Sequence, residues 1–126
     1  MQQRKQFANF KKMKYEEIIK KLKLVGIPKN VEGMGRFGIR PKSKILGISI
    51  WELRKLKKKI GIDHQLAQKL WATGIHEARI LAGFIEDPIR VTEKQLDRWV
   101  KDFDSWDIVD QVSELIAHTP YVIKKN

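Results

Sequence analysis

Ser49-Ile50-Trp51-Glu52-Leu53-Arg54-Lys55-Leu56-Lys57-Lys58-Lys59-Ile60-Gly61 decides the fold class. Ser49 and Glu52 have the spacing of a capping box, in which each side chain satisfies a backbone N–H that the first helical turn leaves free. Ile50, Leu53, Leu56 and Ile60 then recur at helical spacing and mark one buried stripe. Gly61 stops the helix. The same grammar repeats downstream. Asp63 caps a helix carrying Leu66, Ala67, Leu70 and Trp71, and Gly74 breaks the chain again. Ile75 to Ile85 is apolar nearly all round, as in a helix sandwiched between neighbours, and Asp87-Pro88 ends it. Thr92-Glu93-Lys94-Gln95 is a second capping box, opening a helix with Leu96, Trp99, Val100 and Phe103. A further helix, capped by Asp104 or Ser105, runs to about Ala117, and Thr119-Pro120 opens one more.

Upstream, Lys14 to Val25 reads as an amphipathic helix with Ile18, Ile19, Leu22 and Val25 inward, stopped by Gly26 and Pro28. Residues 1–13 are polar and basic and read as a flexible arm, leaving 14–126 as one domain. Gly33-Met34-Gly35-Arg36-Phe37-Gly38 matches the dinucleotide fingerprint G-x-G-x-x-G in letters only. That motif needs a buried strand before it and a helix opening within it, whereas Lys29-Asn30-Val31-Glu32 precedes and Pro41 follows. The glycines read as loop turns. Arg36, Arg40, Lys42 and Lys44 make the loop basic, which suits either a DNA phosphate contact or a plain connection. No stretch sustains the period-two alternation of a strand. The chain therefore reads as all-α, with antiparallel helix pairs stacked in order as an α-α superhelix. Tyr121-Val122-Ile123 is not the polar closing repeat such an array needs, so the domain is expected to be incomplete at its C-terminal end, with an apolar face after Ala117.

The 126 residues suffice for one core. The absence of cysteine rules out disulfides, thiolate metal sites and cysteine nucleophiles. No apolar run approaches a membrane span, and a soluble, cytoplasmic protein is the expectation. The formal net charge of +11 is unevenly placed. Residues 1–59 hold 18 Lys and Arg against 4 Asp and Glu, whereas residues 60–126 hold 8 against 11. A basic half beside a mildly acidic one suggests a polyanion-binding surface next to a region with another task. A solvated lysine-rich face is the plainer alternative.

Phe103-Asp104-Ser105-Trp106-Asp107-Ile108-Val109-Asp110-Gln111 carries the candidate chemistry. Trp106 and Asp110 stand four residues apart, on one helix face, while Ile108, Val109 and Val112 supply the packing stripe. An indole beside a carboxylate suits a flat, positively charged group. The simpler reading makes Trp106 core and gives Asp107 and Asp110 to the helix N-terminus. His64, His76 and His118 form no ligand cluster, and neither metal nor cofactor is expected. His76 reads as a hydrogen-bonded structural histidine, with Glu77 and Arg79 holding the repeat joints together. Trp51, Trp71 and Trp99 read as core.

Three segments together resemble a known family: Phe37-Gly38-Ile39-Arg40-Pro41 with Ile50-Trp51-Glu52-Leu53-Arg54, then Leu70-Trp71-Ala72-Thr73-Gly74-Ile75-His76-Glu77-Ala78-Arg79, and Asp97 through Asp110 with its Trp-Asp-x-x-Asp element. The chain resembles the DNA alkylation repair family, the AlkD-like DNA glycosylases built from HEAT-like repeats, over roughly residues 15–123. The resemblance implies excision of positively charged N3- or N7-alkylated purines from double-stranded DNA, with Trp106 and Asp110 in the catalytic site. It also implies an arginine and another tryptophan from later repeats, which the sequence does not reach. The alternative is a non-enzymatic basic scaffold that binds nucleic acid or protein.

Overall fold

The computed structural model describes residues 13–36 and 44–120, without the side chains of Lys29 and Arg36. Among them seven α-helices follow in order: α1 Tyr15–Val25, α2 Pro28–Arg36, α3 Ile50–Ile60, α4 His64–Ala72, α5 His76–Ile85, α6 Glu93–Lys101 and α7 Trp106–Ala117. A single parallel bridge between Lys44 and Ile75 is the β-type pairing found among the described residues. The fold is all-α, with helix pairs stacked in order. No helix among these residues is long and apolar enough to cross a membrane.

Three of the expected side-chain caps form. Ser49 Oγ accepts from Glu52 N–H at 3.3 Å, Asp63 from Leu66 N–H at 3.0 Å, and Thr92 from Gln95 N–H at 3.1 Å. Gly61 and Gly74 close α3 and α4 with φ of +76° and +73°, a region that costs L side chains strain.

α5 is the centre of the molecule. Eight of its ten residues are buried, because α4 covers one side, α3 and α7 pack on the others, and α1 reaches its edge. Leu70, Leu81, Ile85 and Ile108 sit fully inside, with Ile18 and Leu22 of α1 closing the core. Trp71 and Trp99 stack face to face, centroids 4.1 Å apart and planes within 2°, so those two tryptophans are core as expected. Glu86, also buried, accepts from Gln68 and Gln95 side chains at 2.7 and 2.6 Å, and bonds His64 Nδ1 at 2.7 Å.

Three expectations need correction. Pro28–Arg36 is helical, not a glycine loop. Proline is well placed at a first helical position, and contacts remote in sequence hold the turn: Ile27 N–H and Asn30 Nδ2 both donate to Gly47 C=O, at 3.1 and 3.0 Å. Trp51 is 68% exposed rather than core, since Leu53 and Leu56 take the inward positions of α3. Val109 is exposed too, and Ile108, Val112 and Leu115 carry the buried stripe of α7.

Candidate functional site

The N-terminal ends of α3, α5 and α7 converge on one pocket of about 340 Å³. The stacking causes this: α3 and α7 both lie against α5. Ser49, Ile50 and Leu53 form one wall, His76, Glu77 and Ile80 the floor, and Trp106, Asp107, Asp110 and Gln111 the other wall; Met34 of α2 and Ile48 complete it.

Glu77 anchors the floor. Its buried carboxylate accepts three backbone N–H groups from the segment before α3: Leu46 at 2.9 Å through Oε1, Gly47 at 2.8 Å and Ile48 at 3.0 Å through Oε2. Charge-assisted bonds of this kind are about twice as strong as neutral ones. His76 N–H in turn donates to Lys44 C=O at 2.8 Å. Together these bonds pin the 44–48 segment to the start of α5. Arg79, one turn further, ties α4 to α6. Its Nε donates to Trp71 C=O at 3.2 Å, its guanidinium lies over the Trp71 ring, and it pairs with Asp102 at 3.8 Å. Asp102 also accepts from Trp71 Nε1 at 2.8 Å. Glu77 and Arg79 therefore do hold the joints.

His76 is fully buried and structural in its bonding, with Nε2 2.7 Å from Asp107 Oδ2. The other ring nitrogen, Nδ1, is buried and meets no hydrogen-bond partner. Asp107 is thus more than a helix-end charge. It accepts from His76, from Ser105 Oγ at 2.5 Å and from Ile108 N–H at 3.0 Å. Burial pushes its carboxyl up, but the His76 and Ser105 hydrogen bonds, the attraction of His76 and the Ile108 N–H outweigh that and hold it below the ordinary value. Ser105 occupies the N-cap position of α7 without the expected side-chain cap; its hydroxyl donates to Asp107 instead.

Trp106 and Asp110 share one wall of the pocket, as their four-residue spacing predicts. Trp106 is 51% exposed and Asp110 is exposed, so both reach solvent from the rim above a buried floor. Sequence reasoning missed Asp107 and His76 as one unit. A short polar residue at α7 and a histidine 31 positions earlier give no local sign that they meet.

Of the four basic residues expected to contact DNA, Lys44 is exposed, immediately before the segment held by Glu77. Arg40 and Lys42 lie outside the described residues, as does the side chain of Arg36. Among the described residues, no group of three or more His, Asp or Glu side chains gathers as a metal site.

Comparison with known proteins gives the site a context. Curated proteins return no match. A solved structure, from a family of proteins related to the HEAT-like repeat DNA glycosylases and described as having affinity for branched DNA structures, matches with a TM-score of 0.74 at 24% identity. The match covers 86% of this chain and 46% of that one, so the chain spans about half the length of this relative. At that identity the likeness establishes the HEAT-like fold. The profile of the DNA alkylation repair enzymes matches residues 18–123, from α1 through α7 and past it. With most of its length matched, including every residue of the pocket, this chain belongs to the DNA alkylation repair enzyme family.

Proposed function

We propose that the pocket between α3, α5 and α7 takes part in excising N3- or N7-alkylated purines from double-stranded DNA by cleavage of the N-glycosidic bond. The observation that carries this reading is the wall on which Trp106, Asp107 and Asp110 meet above a buried floor. A volume of about 340 Å³ falls within the usual range for small-molecule sites, roughly 300–1,000 Å³.

The chemistry asks little of the protein. An alkylated purine is already cationic, so it leaves as a neutral base when the C1′–N bond breaks and the bonding pair returns to the ring. No strong general acid is required. Positive charge then develops on the deoxyribose. Asp110, on the open side of the pocket, stabilises that charge and orients the water that adds to C1′, whose proton passes to the carboxylate or to solvent. Trp106 offers an aromatic face to the cationic base or the sugar. Asp107 stays ionised and deepens the negative field of the same wall. Arg36, Arg40, Lys42 and Lys44 supply sequence-independent attraction for the phosphate backbone.

The test is single-turnover release of N7-methylguanine from duplex DNA. Asp110→Asn keeps shape and removes charge, so it should leave folding and DNA binding intact while slowing excision about a hundredfold, on the order of the ~3 kcal/mol one fixed electrostatic group contributes. Equal rates for wild type and variant remove Asp110 from the chemistry. A second reading, binding without excision, draws on the affinity for branched DNA described for the solved relative. Tight binding of a branched junction with no base released would favour it.

A further inference from the structure

An indole that is 68% exposed needs a reason, and Trp51 has one at hand. Trp51, Arg54, Lys55 and Lys58 follow at i, i+3, i+4 and i+7, so they form a single stripe along α3, and all four are exposed. The Arg54 guanidinium lies 5.3 Å from the centroid of the Trp51 ring. Glu52 partly neutralises Lys55 at 3.5 Å, which leaves Arg54 and Lys58 as the effective cations of the stripe. The buried stripe of the same helix, Leu53 and Leu56, fixes its rotation against the core. The stripe also starts beside the pocket, because Ile50 and Leu53, on either side of Trp51 in the sequence, line it. An aromatic face at one end of a row of cations, spread over about 10 Å of helix, is complementary to a strand with phosphates along its edge and a base turned out to stack.

We infer that the outer stripe of α3 is a track for nucleic acid, in which Trp51 stacks on an unpaired base next to the pocket while Arg54 and Lys58 meet phosphates of the same strand. The inference rests on reading the pocket as a DNA site. Trp51 contributes stacking and specificity for distorted DNA. The cations contribute affinity for any DNA.

The experiment is fluorescence anisotropy of the 126-residue chain with two labelled, unalkylated duplexes, one fully paired and one with a single unpaired base. Trp51→Ala should weaken binding of the second duplex about tenfold, the size of one base–aromatic stacking contact, and should barely affect the first. Trp51→Phe should restore most of the loss. Arg54→Gln and Lys58→Gln should weaken both duplexes alike, each flattening the salt dependence by about one unit of slope. Unchanged binding by Trp51→Ala, or an equal loss on both duplexes, overturns the stacking role. Binding of neither duplex by the wild type overturns the track altogether and leaves the stripe to an acidic protein. The DNA carries no lesion, so a chain that binds as described but releases no alkylated base refutes the excision reading alone.

Discussion

Replacing Glu77 by glutamine tests whether the pocket floor is built as described. The native carboxylate satisfies three buried or partly buried N–H groups, two through Oε2 and one through Oε1. A glutamine oxygen can accept the Gly47 and Ile48 donors, but its NH2 group then faces the Leu46 N–H, donor against donor. One donor loses its partner, at about 1–3 kcal/mol, and two charge-assisted bonds become neutral ones, at about 0.5–1 kcal/mol each. The expected destabilisation is about 2–5 kcal/mol, a large share of the roughly 5–15 kcal/mol that holds a domain folded. Glu77→Ala strands all three donors and should cost more still. Urea denaturation followed by far-UV circular dichroism measures the loss, read as a fall in midpoint at constant slope. Amide hydrogen exchange adds a local readout, since Leu46, Gly47 and Ile48 should lose protection in the glutamine variant before α4 does. Stability within about 0.5 kcal/mol of wild type, with those three amides still protected, would refute the reasoning.

Two further perturbations bear on the same region. Gly47 has φ of +80°, and an added Cβ would stand 2.1 Å from the Ile27 carbonyl oxygen, so Gly47→Ala should cost more than ~2 kcal/mol from backbone strain and displacement of α2; an unchanged urea midpoint would contradict this. Asp107 is held below the ordinary aspartate value of about 3.9, so its contribution to stability is complete above that value and fades as pH falls through the lower folded one. The stability difference between wild type and Asp107→Asn should therefore shrink below about pH 4, and a difference that stays flat to pH 3 would show that the His76 and Ser105 bonds do not favour the ionised form.

Wherever the decisive interaction is local, the sequence announces it. Ser49, Asp63 and Thr92 cap helices three residues ahead of their bonded N–H groups, and such pairs are visible in any short window. Trp106 and Asp110 share a wall because a helix places residues four apart on one face. The failures are just as instructive. α2 contains two glycines in nine residues and gains its shape from Gly47, 17 positions beyond Asn30. Local propensity holds no record of that contact. Trp51 adjoins Ile50 and sits one helical step off the buried stripe, so a small rotation of α3 separates core from surface. The roles of His76 and Glu77 depend on groups about 30 residues away. A buried polar residue is legible as needing partners, but not which partners.

The three hydrogen bonds of Glu77 and the tether of Asp107 also bear on how such a site can change over time. Pocket residues fall into two sets by what else they hold. Glu77, His76 and Asp107 join segments far apart in the chain, so an altered side chain there disturbs the fold before it adjusts any chemistry. Asp110 stands on the open rim, and Met34 lines the pocket from α2. Variation at these positions reshapes what the pocket admits while the frame beneath stays in place. A lineage exploring new ligands on this scaffold would therefore find its freedom at the rim and its constraint in the floor, so that the same frame can serve relatives with different chemistry, or with none.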